Sequence, residues 1–300
     1  MSSTATPAQW LEGARPHTWA NAYAPVIAGS AAAGMDGGFH LGRALLAAVV
    51  ALALIIGVNY ANDYSDGIRG TDQDRTGPLR LTGSGLAAPA AVKKAAFISF
   101  GVAAVAGVAL SALSSWWLVL VGALCIAAAW FYTGGKNPYG YRGLGEVSVF
   151  VFFGLVAVLG TQFTQAGRIT VAGVIAAVAV GTLSAAVNLT NNLRDIPTDK
   201  AAGKITLAVR LGEPATRRVL MWAVLTPLFA SLLLAMATLS PVTLLLGSLL
   251  PLPMMTQARK VVSSGQGREL IPGLGLIGRS MLLWTVGIAV SVPINHWLFG

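Results

Sequence analysis

Charged residues make up only 10% of this 300-residue chain, against about 25% in an ordinary soluble domain. Such a chain cannot present a water-facing surface over most of its area. Cysteine is almost absent. The single Cys125 lies in an apolar stretch, which excludes a disulfide framework and a cysteine-based metal centre. It reads as a small buried hydrophobe. Three histidines, His17, His40 and His296, have no ligand spacing, and neither a Ser-His-Asp arrangement nor a Walker loop is present. No basic run is interleaved with aromatics, so the net charge of +9 does not describe a nucleic-acid surface. The first fifteen residues hold no apolar run preceded by basic residues, so no cleavable signal is expected.

What is abundant is apolar: 55% of residues are hydrophobic and 35 are glycine. That is the profile of a polytopic helical membrane protein, in which small residues let helices approach closely. A bilayer core requires about 20 mostly apolar residues per helix. On that measure the sequence predicts an all-α membrane protein of nine transmembrane helices, at roughly 18–34, 43–61, 92–113, 116–132, 145–165, 169–190, 217–239, 241–258 and 279–299. The whole of 1–300 is expected to form one domain. Pro241 suits the first turn of a helix, and Pro251 with Pro253 predicts a kink inside the eighth span.

Charge placement supports this count. With the N-terminus in the cytoplasm, eighteen of the 20 Lys and Arg fall on the cytoplasmic side, leaving Arg43 and Arg168 opposite. Positive-inside insertion produces such a bias, and an anionic leaflet suits it. The active loops are therefore expected on the cytoplasmic face of the cell membrane. Ten of the eleven acids share that side, Asp36 being the exception. Positive-inside makes no demand on acids, so their clustering asks for a functional reason.

Two acidic groups stand out, each following a long apolar segment. The first runs Asn62-Asp63-Tyr64-Ser65-Asp66 and on to Asp72 and Asp74; the second runs Asn191-Asn192-Leu193-Arg194-Asp195 and on to Asp199. Carboxylates at membrane-helix mouths are costly to desolvate and mark a functional site. The i, i+4 spacing of Asn62 and Asp66 puts both on one helical face. Gly67 and Gly70 are expected to unwind the chain beyond it and fold Asp72 back. Asp195 and Asp199 have the same spacing, but Pro197 disfavours helix at Ile196, so a new turn starting at the proline is the alternative. The two groups lie four spans apart, which suggests a parallel repeat. Capping and solvated loop acids are the bland reading of either group alone.

Acids on two sides of a cleft suit a hard divalent cation and a polyphosphate. Basic groups nearby, Arg75, Arg80, Arg194, Lys204 and Arg210, would neutralise the remaining phosphate charge, or act only as topology signals. A third loop on this face, 133–143, carries Lys136, Tyr139, Tyr141 and Arg142. Its hydroxyls and cations suit an aromatic acid or a diphosphate, and interfacial anchoring accounts for them equally well.

Taken together, the motifs resemble the UbiA superfamily of intramembrane prenyltransferases. Asn62-Asp63-x2-Asp66 and Asp195-x3-Asp199 resemble its two aspartate-rich motifs. The stretches Gly67-Ile68-Arg69-Gly70-Thr71-Asp72, Arg75-Thr76-Gly77-Pro78-Leu79-Arg80, Tyr132-Thr133-Gly134-Gly135, Tyr139-Gly140-Tyr141-Arg142-Gly143-Leu144-Gly145-Glu146 and Gly203-Lys204 resemble the branch acting on 1,4-dihydroxy-2-naphthoate. The next acid after Asp66 comes at Asp72 rather than four residues on, a departure from the general pattern that is typical of that branch.

The resemblance implies helices bundled around a central cavity, capped by loops 63–91, 133–143 and 191–216. It implies Mg²⁺ at Asp66, Asp72, Asp195 and Asp199, with Asp63 orienting the loop or assisting deprotonation. Substrate contacts are implied at Asn62, Arg75, Arg80, Lys136, Tyr139, Arg142, Asn188, Asn191, Asn192, Arg194 and Lys204. The implied reaction transfers a polyprenyl group from its diphosphate to 1,4-dihydroxy-2-naphthoate, with loss of CO₂, toward demethylmenaquinone. Another acceptor such as 4-hydroxybenzoate, or a cation-coupled transporter, remains the alternative.

Overall fold

The computed structural model describes residues 5–70, 79–201 and 203–299. In chain order the helices are α1 (Pro7–Gly13), α2 (Ala20–Met35), α3 (Leu41–Arg69), α4 (Pro89–Ala112), α5 (Leu118–Phe131) and α6 (Gly145–Val149). A π-helical stretch, Phe150–Leu159, continues α6 into α7 (Gly160–Ala166). Then follow α8 (Val171–Arg194), α9 (Ile196–Ala201), α10 (Leu207–Leu211), α11 (Glu213–Ala223), α12 (Thr226–Thr238), α13 (Pro241–Leu249), α14 (Leu252–Ser264) and α15 (Ile271–Phe299). Among the described residues there is no strand.

Six helical segments are long and apolar enough to cross a membrane, or seven if the bent pair α13–α14 is one span. Two further predicted spans, 18–34 and 116–132, are built as the shorter helices α2 and α5, of 16 and 14 residues. The count of nine therefore does not follow from helix length. The predicted proline features are present. Pro241 begins α13 behind Ser240, whose side chain caps Thr243 N–H, and the chain bends by 44° between Leu249 and Leu252, where Pro251 sits.

Large apolar side chains such as Val105, Leu120, Leu124 and Trp297 are two-thirds or more exposed. On a water-soluble protein so broad an apolar surface would drive association; here hydrocarbon is the matching solvent. Inside, helices are tied by polar pairs. Trp284 Nε1 donates to Ser231 Oγ at 3.0 Å, and Thr243 Oγ1 lies 2.8 Å from Ser291 Oγ. All four residues are buried, where unpaired polar groups would be costly. The charges expected on the far side also find partners. Arg168 holds Asp36 through two hydrogen bonds, Nη2 to Oδ1 at 2.6 Å and Nε to Oδ2. That guanidinium keeps the Asp36 carboxyl below its usual range. Arg43 Nη1 donates to the Thr164 carbonyl at 2.9 Å.

Helix α3 corrects one expectation. It does not end near residue 61 or unwind at Gly67; it continues to Arg69 and stops at Gly70, whose φ of 72° is left-handed. Gly67 serves packing instead. A Cβ there would lie 2.4 Å from Thr82 Cγ2, so glycine lets the returning chain lie against the helix. The described part of the first acidic group, Asn62 to Asp66, is thus helix raised beyond the apolar segment.

Candidate active site

The N-terminal arm fixes α3 just before its acids. Asn59 Nδ2 donates to the Ala14 carbonyl at 3.1 Å and to Thr18 Oγ1 at 3.0 Å. Tyr60 donates its hydroxyl to the Trp10 carbonyl at 2.8 Å. One turn on, Asp63 is fully buried. Its Oδ2 accepts from Leu81 N–H at 2.8 Å and its Oδ1 from Thr82 N–H at 2.9 Å. Both oxygens of Asp63 therefore anchor the returning chain.

The third loop lies across the other side of α3. Asn62 Oδ1 accepts from Thr133 Oγ1 at 2.7 Å, and Arg69 donates to the carbonyls of Thr133 and Gly135. Tyr141, further along, donates its hydroxyl to Asp66 Oδ1. Arg80 Nη2 is 3.6 Å from Asp66 Oδ2. Asp66 is 7% exposed, so a proton donor and a cation hold a carboxylate that is almost out of water.

The second acidic group arrives from α8. That helix ends at Arg194, Asp195 forms its C-cap, and α9 restarts with Pro197 in its first turn. A restart is observed, but it begins at Ile196, the residue the proline was expected to keep out of helix, with Asp199 N–H donating to the Asp195 carbonyl at 2.8 Å. Arg194 grips Asp195 in a two-pronged contact, 2.7 Å on each arm. Lys204 Nζ is 3.4 Å from Asp199 Oδ1, and Thr206 Oγ1 donates to Asp199 Oδ2 at 3.4 Å.

The two acidic groups meet at Tyr141. Its hydroxyl is on Asp66, and its ring centroid is 5.6 Å from Lys204 Nζ and 5.6 Å from the Arg69 guanidinium. Such distances suit attraction of a cation to an aromatic face. Arg210 Nη2 also donates to the Arg142 carbonyl at 3.0 Å, docking the second group's loop onto the third. Asp66 is therefore linked to Asp199 through Tyr141 and Lys204.

The other predicted residues fall into three sets. Asn192 is buried and donates to Glu146 Oε1 at 2.6 Å. Asn188 and Asn191 are half-buried on the same helix end. Lys136 and Arg142 are exposed, and Tyr139 turns away, its hydroxyl on the Ala128 carbonyl at 2.8 Å; burial pushes that hydroxyl up to about 12. The structure does not gather these three with the acids. Asp72 and Arg75 lie outside the described residues. Three residues absent from the predicted set belong to the cluster: Arg69, Tyr141 and Glu146. The i, i+3 step from Asp66 to Arg69 was a usable signal; Tyr141 was one of the third loop's hydroxyls, and for Glu146 only its place just after that loop pointed there.

No group of three His, Cys, Asp or Glu is close enough to cage a metal among the described residues. The acids present are hard oxygen donors divided between two sides. Mg²⁺ is bound in that manner, through one or two carboxylates, waters and substrate phosphate rather than a full protein cage. The donor set fits that ion.

An open apolar groove of about 520 Å³ lies between α5 and the π-helical stretch. Leu124, Cys125, Ala128, Phe131, Phe152 and Val156 line it. Ala128, which holds the Tyr139 hydroxyl, links this trough to the loop.

Comparison with known proteins gives consistent results. Residues 22–271 match the UbiA prenyltransferase family. The chain is 54% identical over 290 residues to 1,4-dihydroxy-2-naphthoate octaprenyltransferase of Mycobacterium tuberculosis, covering 96% of this chain and 98% of that one. Solved structures share its fold, among them two UbiA homologs. The apo UbiA homolog from Aeropyrum pernix K1 has a TM-score of 0.71 at 15% identity over 92% of this chain and 98% of that one. The UbiA homolog from Archaeoglobus fulgidus bound to GPP and Mg²⁺ has a TM-score of 0.62 at 13% identity over 94% and 99%. With the family matched over most of its length and its apolar helices carrying one charged cluster, this chain is a multi-pass membrane protein of the UbiA prenyltransferase family.

Proposed function

We propose that this chain transfers a polyprenyl group from polyprenyl diphosphate to 1,4-dihydroxy-2-naphthoate, in the pathway to menaquinone. The observation that carries the reading is the link from Asp66 through Tyr141 and Lys204 to Asp199, joined to the 54% identity with an enzyme of that name. Arg80, Arg194 and Lys204 bind the diphosphate, each supplying positive charge beside an acid. Asp66, Asp195 and Asp199, with Asp72, hold Mg²⁺. When bound, the ion supplies charge neutralisation to the departing diphosphate.

Asn62 and Asp63 position the loops: their oxygens take Thr133, Leu81 and Thr82. The segments 63–91, 133–143 and 191–216, part helix and part loop, cap the site from the cytoplasmic side of the cell membrane, and 1–300 works as one domain. The apolar trough beside α5 receives the first isoprene units, and the rest of the tail stays in lipid. Water is kept from the allylic carbon by the buried packing around Asp63, Glu146 and Asn192.

Replacing the carboxyl group by the prenyl group gives the hydroquinone. Demethylmenaquinone then arises by a separate two-electron oxidation. The test is mass spectrometry of products from purified protein given Mg²⁺, 1,4-dihydroxy-2-naphthoate and donors of several lengths, with 4-hydroxybenzoate as competing acceptor. Prenylated naphthohydroquinone with equimolar diphosphate is expected. Prenylated hydroxybenzoate alone would move the chain to another branch, and no diphosphate release would remove it from this chemistry.

A further inference from the structure

Glu146 opens α6 and is 5% exposed. Its Oε1 accepts from Asn192 Nδ2 at 2.6 Å, while its Oε2 is buried with no hydrogen-bond partner. Asn188, one helical turn before Asn192, turns its buried amide toward the Tyr132 hydroxyl. An unsatisfied acceptor on α6 and an amide donor on α8 thus lie near the same glycine. The unsatisfied oxygen costs stability until something completes it.

Gly145, immediately before Glu146, borders Asn188 and Tyr132. A Cβ there would lie 3.0 Å from Asn188 Nδ2 and 3.1 Å from the Tyr132 hydroxyl, so a side chain would crowd the niche. The charges facing Glu146 are Lys204 and Asp199 from the second acidic group, and Tyr132 faces it from the end of α5. Glu146 thus lies beside the diphosphate cluster and is committed to none of its ion pairs.

Resting on the reading of the chain as a dihydroxynaphthoate prenyltransferase, we infer that Glu146 is a catalytic residue: Oε2 receives the ring hydroxyl next to the acceptor's carboxyl group and takes its proton. Asn188 Nδ2 donates to the neighbouring carboxylate. An ortho hydroxy acid offers this donor-acceptor pair on adjacent carbons. As the carboxyl-bearing carbon bonds to the allylic carbon, the allylic carbon–oxygen bond breaks and diphosphate leaves with the electron pair. The hydroxyl proton passes to Oε2, and its oxygen becomes a ketone. Loss of CO₂ returns the carbon–carbon electron pair to the ring, and Oε2 gives the proton back to that oxygen. Hydroquinone, CO₂ and diphosphate result, with no oxidant consumed.

The test compares wild type, Glu146→Gln and Glu146→Asp with 1,4-dihydroxy-2-naphthoate and a ring-chlorinated analogue whose hydroxyl is more acidic. Direct binding of polyprenyl diphosphate reports the folded state of each variant. Glu146→Gln is expected to lose ~10²–10⁴-fold in kcat, the usual share of a general base, with donor affinity within about threefold of wild type, a span worth well under 1 kcal/mol. Its deficit narrows with the chlorinated acceptor, and Glu146→Asp recovers part of the rate. A merely structural role would leave the deficit equal for both acceptors. Glu146→Gln turning over within about threefold of wild type, a deficit blind to acceptor acidity, or loss of donor binding would overturn the assignment. If wild type itself prenylates no naphthoate, the underlying reading fails instead.

Discussion

The hydroxyl of Tyr141 donates to Oδ1 of Asp66, so a residue of the third loop sets the orientation of an acid on α3. Tyr141→Phe keeps the ring and loses a hydrogen bond to a charged group, an interaction worth about 1.5–3 kcal/mol. A fall of ~10-fold or more in kcat/KM is expected. Tyr141→Leu also removes the cation contacts with Lys204 and Arg69 and should raise the KM for the prenyl diphosphate further. Steady-state kinetics with the donor varied decides it; a Phe variant indistinguishable from wild type would detach the hydroxyl from catalysis.

Asp66→Ala, Asp195→Ala and Asp199→Ala should each cut turnover by at least ~10²-fold, the scale lost with one electrostatic contact to a transition state. The same size-exclusion profile in detergent is expected for all three. Near-normal activity in any one would strike that acid from the set. Raising Mg²⁺ should restore part of the rate if an acid acts through the ion.

Asp63 should behave differently, as a matter of stability. Asp63→Ala strands the N–H groups of Leu81 and Thr82, at about 1–3 kcal/mol for each buried group left unpaired. Asp63→Asn keeps one acceptor oxygen and should fall between. Thermal unfolding in detergent should rank wild type above Asn and Asn above Ala; equal transitions would show that the loop does not depend on this anchor.

These differences mark what the sequence could and could not convey. The helical face of Asn62 and Asp66 followed from a four-residue step, and the bend at Pro251 from the missing amide of proline. Gly67 misled, because a glycine that admits Thr82 is identical in sequence to one that ends a helix. The shared position of Asp66 and Asp199 was expected from two acidic groups, but Tyr141 as their meeting point depends on how the third loop docks, through Arg69 on one flank and Arg210 on the other. Tyr139, two residues away, looked equivalent and faces α5. Glu146 was visible only as one more acid at a helix start; its buried, half-satisfied carboxylate is a tertiary property.

The trough beside α5 gives a prediction about donor length. Ala128→Phe places a ring among Leu124, Phe131 and Phe152 and should shift preference toward shorter polyprenyl diphosphates, at little cost to the shortest donors. Product distributions from an equimolar donor mixture measure this. An unchanged distribution would show that the tail takes another path.

The grip of the N-terminal arm on α3 bears on how the protein can be handled. Asn59 and Tyr60 depend on backbone carbonyls at Ala14 and Trp10, and the helix they steady carries Asn62, Asp63 and Asp66 directly afterwards. Trimming the chain past Ala14 would remove no charged catalytic group, yet it would take away the backbone carbonyls that Asn59 and Tyr60 bind, a single turn below the acids. Expression variants shortened at that end would then look like weak enzymes, although every residue of the reaction centre was still in place.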